Sequence, residues 1–202
     1  VNELVDFTSS GSAISFNGAW GATNTLGTVS LTSTNALTLP SITASTIFAR
    51  TTGAGSDITI ASGKTLTASG SGDAITLVAG RNFINSAATP FSLTGSGRWL
   101  VYSTNPSADT LNGLSAGFAR YGCTYGGSCP SGVSIPTSGN GVIYSYQPTL
   151  TITPTAQTIT YGDAAVTSGY GYTVSGYLTS AAGNDSAADS LTGTLTGTST
   201  YS

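Results

Sequence analysis

The chain has 202 residues, 39% hydrophobic but only 6% charged, with a net charge of −3 and neither His nor Met. The apolar share suffices for a buried core, but the charged share is far below the roughly 25% of an ordinary globular domain, so hydroxyls must do the solvating that charge usually does. There is no basic footprint for nucleic acid, no apolar run near the roughly 20 residues of a membrane helix and no signal peptide. The chain starts at Val1 without Met, which suggests a mature or excised piece of a longer polypeptide.

Residues 1 to about 105 alternate apolar and polar residues throughout, the pattern of half-buried strands. Gly and β-branched Thr and Val disfavour helix. The alternation repeats in "VDFTSSGSAISF" (5–16), "VSLTSTNALTL" (29–39), "IFARTTGAGSDITI" (47–60), "LTASGSGDAITL" (66–77) and "FSLTGSGRWLVY" (91–102). Each opens and closes on an apolar-x-apolar triplet, with Ser, Thr and Gly between. The spacing of roughly 20 residues is that of stacked coils. One copy cannot bury its apolar face alone, but a stack can. The expected fold class is all-β: a parallel β-helix of some five coils, followed by a partial β-sandwich.

The last copy, "GRWLVYSTNP" (97–106), adds Arg98, Trp99 and Tyr102 before Pro106. Terminal coils are expected to be atypical, because an open end exposes strand edges. These residues are expected to cap the solenoid; a stacking platform for sugar is the alternative.

Residues 106–147 lack alternation and are expected to form an irregular connector. They hold both cysteines, Cys123 and Cys129. Without His or further Cys, zinc ligation is not assembled here, and C-x-x-C spacing is absent. A disulfide closing a short glycine-rich loop fits better than two free thiols. It would contribute on the order of 2–3 kcal/mol and favours an oxidising, extracytoplasmic location.

Residues 148–202 return to short alternating strands, with turns at "YGDA" (161–164) and "GNDSAAD" (183–189). An immunoglobulin-like sandwich needs roughly 100 residues, so an incomplete repeat is expected. Either downstream sequence or a strand from a neighbouring molecule would complete it, and the uncharged final stretch "LTGTLTGTSTYS" suits such addition.

The solenoid coils leading into "GRWLVYSTNP", followed by the cysteine pair, resemble the C-terminal part of filamentous-haemagglutinin-type exoproteins of Gram-negative bacteria. The stretch "TITPTAQTITYGDAAVTSGYGYTVSGYL" (151–178) is similar to the start of the YG-type MBG repeats found in such proteins. The resemblance implies a large secreted or surface-anchored adhesin, exported through an outer-membrane secretion partner and acting in attachment or biofilm.

An enzyme is the competing expectation, because β-helices also host polysaccharide lyases and glycoside hydrolases; fold alone does not decide between them. With no His, the commonest general base is missing. The best acidic pair is Asp57 and Asp73, placed alike in "GSDITI" and "SGDAITL"; adjacent coils would bring them near the separation of a retaining glycosidase. The plainer reading makes each a turn residue. Arg50, Lys64, Arg81, Arg98 and Arg120 are scattered. Asn184, Asp185 and Asp189 are weighed as calcium ligands and read as a solvated turn, so no metal and no cofactor is expected. Tyr121, Tyr125, Tyr144, Tyr146, Tyr161, Tyr170, Tyr172 and Tyr177 concentrate beyond the solenoid. They suit junction packing or a contact patch for a glycan, a matrix polysaccharide or another subunit. The resulting expectation is a non-enzymatic, extracellular or cell-surface structural segment, with no nucleic-acid partner and no membrane insertion.

Overall fold

In a computed structural model, residues 3–156, 160, 162–163, 171–180 and 183–184 are described. The chain divides into two compact units, one built of residues up to Gln147 and one chiefly from Pro148 onward.

The first unit is a parallel β-solenoid of about six turns. The first coil contains β1 (Leu4–Ser9), β2 (Ile14–Ser15) and β3 (Ala19–Trp20); the second contains β4 (Leu26–Ser33), β5 (Leu37–Leu39) and the start of β6 (Ser41–Thr51). The rest of β6 opens the third coil, which continues through β7 (Ile58–Ile60) and β8 (Leu66–Ala68). The fourth coil is β9 (Asp73–Val78), β10 (Phe83–Asn85) and β11 (Phe91–Leu93), and the fifth opens with β12 (Arg98–Ser103).

Three sides result, each a ladder of in-register parallel pairs. On the first side Val5, Val29, Ile47, Ile75 and Trp99 stack in line. On the second, Ile14, Leu37, Ile58 and Phe83 do so. On the third the column is Trp20, Ile42, Leu66 and Phe91. The apolar-x-apolar triplet is thus the unit of a side, with both apolar residues pointing inward. From the second coil on, the inward residues of these columns are buried, except the half-buried Phe91, and they form the main core. Each fully buried side chain contributes roughly 1.5–3 kcal/mol. β6 serves two sides because its alternation slips at Ser45 and Thr46, two successive residues off the core, and this makes the corner.

The five sequence copies are out of phase with these coils. The openings at 5, 29 and 47 lie on the first side, but those at 66 and 91 lie on the third. All three sides carry the same triplet, so periodicity alone could not distinguish them.

Backbone stacks tightly at one corner. A Cβ on Gly53 would come 2.2 Å from Thr34 O, and one on Gly80 would come 2.2 Å from Gly53 O. Glycine is required there by close approach of the chain. A buried polar residue closes the second side: Asn85 donates from Nδ2 to Leu111 O at 2.9 Å and accepts Ala87 N–H at 2.9 Å.

The solenoid does not end at residue 105. After a 3-10 turn at Pro106–Ala108, Thr110 bridges Ile84 in parallel and extends the second side. β13 (Phe118–Tyr121) and β14 (Gly141–Tyr144) then extend the first side in the order β12–β14–β13, so the later strand fills the gap beside β12. The segment expected to be an irregular connector therefore contributes two strands. Every residue of β14 is buried, so no alternation marks it. Gly141 leaves the space that the Phe118 ring occupies, 2.1 Å from where a Cβ would sit. The stacked rings of Tyr121 and Tyr144, 5.6 Å apart, lie in the last two rungs.

In the second unit, β15 (Thr151–Pro154) and β16 (Tyr172–Ser175) form an antiparallel pair with Ile152 opposite Val174. Separately, β17 (Thr179–Ser180) pairs with β18 (Gly183–Asn184) in a two-stranded sheet whose residues the division into units splits. All of β15 is exposed, and among the described residues no second sheet packs on this pair to make a sandwich. The final stretch 191–202 lies outside the described residues.

Candidate functional site

The outer surface of the first side is mostly Ser and Thr where it meets solvent, as at Ser30 and Thr32. Further along the same rows it turns apolar. Phe48, Thr76 and Leu100 follow Ser30; Arg50, Val78, Tyr102 and Ile143 follow Thr32. A short loop folds over this stretch. Gly122 N–H and Cys123 N–H donate to Tyr146 O and Tyr144 O, both at 3.0 Å, so the loop leaves the edge of the sheet in a defined direction. Cys123 and Cys129 are joined in a disulfide. Cys123 is buried and forms a second small cluster with Val78, Leu100, Tyr102 and Ile143, against which Phe48, Phe118, Cys129 and Ile135 pack. This cluster gives the disulfide loop the apolar support that its own sequence lacks.

Tyr125, inside the disulfide ring, reaches furthest. Its ring centroid lies 5.6 Å from that of Phe48 and 5.3 Å, edge to face, from that of Tyr102. The Arg50 guanidinium sits 5.7 Å from the Tyr125 centroid, within range of a cation–π contact. Between the loop and the solenoid is a cleft of about 210 Å³ lined by Arg50, Val78, Tyr102, Thr124, Tyr125 and Ser145 among others. Among the described residues, Arg50 is the only charged side chain in the lining and no carboxylate enters it. Burial pushes the Tyr102 hydroxyl above its ordinary pKa, and the Asp73 charge adds to this; Tyr102 stays protonated and neutral at the cleft wall.

The expected site residues are distributed as follows. Arg98 and Trp99 do not cap the stack, because β14 and β13 lie beyond β12. Trp99 packs inward against Phe91 at 5.1 Å. Arg98 bonds Asp73 and Pro136 O. Tyr102 belongs to the outer cluster. Of the tyrosines, Tyr121 and Tyr144 close the core and Tyr125 lines the cleft. Tyr146 is exposed beyond β14, Tyr172 is exposed in β16, and Tyr177 is half-buried in the second unit. Tyr161 and Tyr170 lie outside the described residues, so no single patch of eight is assembled among those described.

Asp57 and Asp73 do not form a pair. Asp57 precedes β7 on the second side and takes a two-pronged contact from Arg81 at 2.8 and 2.7 Å; Asp73 begins β9 on the first side and meets Arg98. The hydrogen bond from Arg81 holds the Asp57 carboxyl below its usual range, outweighing the opposing effect of burial. Asn184 lies in β18, while Asp185 and Asp189 lie outside the described residues. Among those described, no group of three metal-ligating side chains occurs.

Asp109 was not foreseen. The Ile84–Thr110 bridge sets it opposite Phe83, at the register of an inward residue. It accepts Phe83 N–H at 2.9 Å and the Ser103 hydroxyl at 2.7 Å, and burial pushes its pKa to about 6 against those two bonds. It does not line the cleft. Its only sequence signal was an Asp in a stretch without alternation, and Arg50 was equally plain.

Comparison with protein families, curated proteins and solved structures finds no match to this chain.

Proposed function

We propose that this chain is a structural and adhesive segment of a secreted or cell-surface bacterial exoprotein, of the filamentous-haemagglutinin type that its sequence resembles. The observation that carries the reading is the continuous parallel ladder of the first side, from β1 to β13, with Ser and Thr on its exposed face. Such a stack resists bending, because each rung is bonded to the next along the axis, and its hydroxyl surface keeps it soluble with few charges. The disulfide supports an oxidising compartment. In this reading the strands after Pro148 open an MBG-like sandwich repeat, and the antiparallel β15–β16 pair supports that. A glycan or matrix polysaccharide is its partner, strand addition is its route to self-association, and export of the full-length protein uses an outer-membrane secretion partner. No cofactor enters.

The polysaccharide-cleaving reading is less well supported. Its two acids are occupied by separate arginines, and among the described residues the cleft contains none. Beads coated with the protein are expected to attach to polysaccharide-bearing surfaces above an albumin control, while release of reducing ends or unsaturated sugars stays at background. Turnover abolished by Asp57→Asn or Asp73→Asn would replace this reading with the enzymatic one.

A further inference from the structure

We propose that the cleft between the solenoid and the disulfide loop is a subsite for one acidic pyranose. Arg50 takes the carboxylate or sulfate and Tyr125 forms a wall for the sugar ring. The inference rests on the adhesive reading and names the ligand class of its site.

The first argument is about donors. A guanidinium has five N–H groups in a planar fork suited to planar or tetrahedral oxyanions. Arg81 spends its donors on Asp57, Arg98 on Asp73 and Pro136 O, and Arg120 on Ser134 O and Ala119 O. The Arg50 guanidinium has no hydrogen bond or carboxylate partner among the described residues. Its contact is with the Tyr125 ring, which restrains the head group without consuming an N–H.

The second argument is about charge. The chain carries a net charge of −3, yet among the described residues this cleft has one cation and no acid in its lining. One guanidinium matches one negative group, whereas a phosphate-rich polymer calls for several cations.

The third is about size and polarity. Ligand pockets for larger molecules start near about 300 Å³, so a cleft of about 210 Å³ admits one sugar unit of a chain. A pyranose presents C–H groups on one face and hydroxyls at its rim. Tyr125, 40% exposed, supplies an apolar wall, and the hydroxyl-bearing Thr124 and Ser145 are in the lining. The disulfide closes the ring that carries Tyr125, so it also positions that wall.

Titration of the isotope-labelled full chain with the methyl glycoside of galacturonate (free carboxylate), galactose 6-sulfate and methyl galactoside, followed by amide NMR, tests this. Expected are perturbations at 50–52, 102–104 and 124–125, with an acidic sugar bound about tenfold more tightly than the neutral one. The tighter of the two acids identifies the anionic group. Arg50→Gln should reduce the acidic sugars to the level of the neutral one, and Arg50→Lys should retain part of the preference. Arg50 is exposed, so both variants should fold, which unchanged spectra elsewhere would verify. Equal binding of neutral and acidic sugars, no perturbation at these positions, or acid preference that survives Arg50→Gln would overturn the proposal. Bead attachment reports the whole surface and this titration reports the cleft alone, so the adhesive reading and the subsite can fail separately.

Discussion

The two faces of the first side are held in different ways. The inner face is a column of Val, Ile and Trp closed off by the other two sides of the solenoid. The outer face is mostly Ser and Thr over its early rungs, with Leu4 and Asp6 on the first, and later carries a small apolar cluster roofed by a disulfide loop. The inner face needs the whole stack to exist, whereas the outer cluster needs only the stack beneath it and one covalent tie above. Stability should therefore reside inside, and under the proposed adhesive function recognition falls to the outside.

Truncating the core should break the molecule first. Ile75 is fully buried between Ile47 and Trp99. Ile75→Ala is expected to cost about 2–5 kcal/mol in denaturant unfolding. The matching truncation outside, Val78→Ala, removes two methyl groups from the roofed cluster and should cost about 1–2 kcal/mol. Equal losses at both positions would erase the distinction between core and roofed surface.

Asp109 sharpens the comparison through pH. Its folded pKa of about 6 lies above the ordinary 3.8, so the folded state takes up the proton first. The stabilisation is complete below the unfolded value and is lost as pH rises through about 6. It amounts to at most about 3 kcal/mol. Asp57, held low by Arg81, acts in the opposite direction and only at lower pH. Unfolding free energy measured from pH 4 to 7 should therefore contain a falling component that Asp109→Asn removes. An identical slope in that variant would show that the carboxyl is solvated in the folded state.

Reducing the disulfide should act outside and leave the inside intact. Its ring is short, so the entropic contribution is about 2 kcal/mol. Amide exchange is expected to rise over 122–135 while β4, β6 and β9 keep their protection. General loss of protection would mean that the roof also holds the stack.

The inner half of this arrangement was legible in the sequence and the outer half was not. Triplets such as Leu37/Leu39 and Ile58/Ile60 announced stacked strands because one neighbour points in and the next points out. That signal vanishes where both faces are covered, as in β14, and a boundary was therefore expected at residue 105. Cys123 and Cys129 announced their bond, but nothing local indicated that Tyr125 would lie over Arg50. That contact joins residues from different coils, and its register depends on how the coils align. The same uncertainty of register made Asp57 and Asp73 look equivalent when they begin different sides.

The smallest expected effect lies where the outer face is bare. Thr28 is exposed in β4, and its hydroxyl meets that of Thr46 on the next rung at 2.9 Å. Water competes for both hydroxyls there, so the bond gains little over solvation. Thr28→Ala also gives up some strand preference, since β-branched residues suit a pleated surface. The two effects together should stay within about 0.5 kcal/mol, well below Val78→Ala on the same face under the roof. Thermal unfolding of both variants beside the parent chain measures the contrast directly. If Thr28→Ala proved as costly as Val78→Ala, the exposed hydroxyl rows would be a source of cohesion along the stack, and the division between a load-carrying interior and a merely solvated exterior would have to be redrawn.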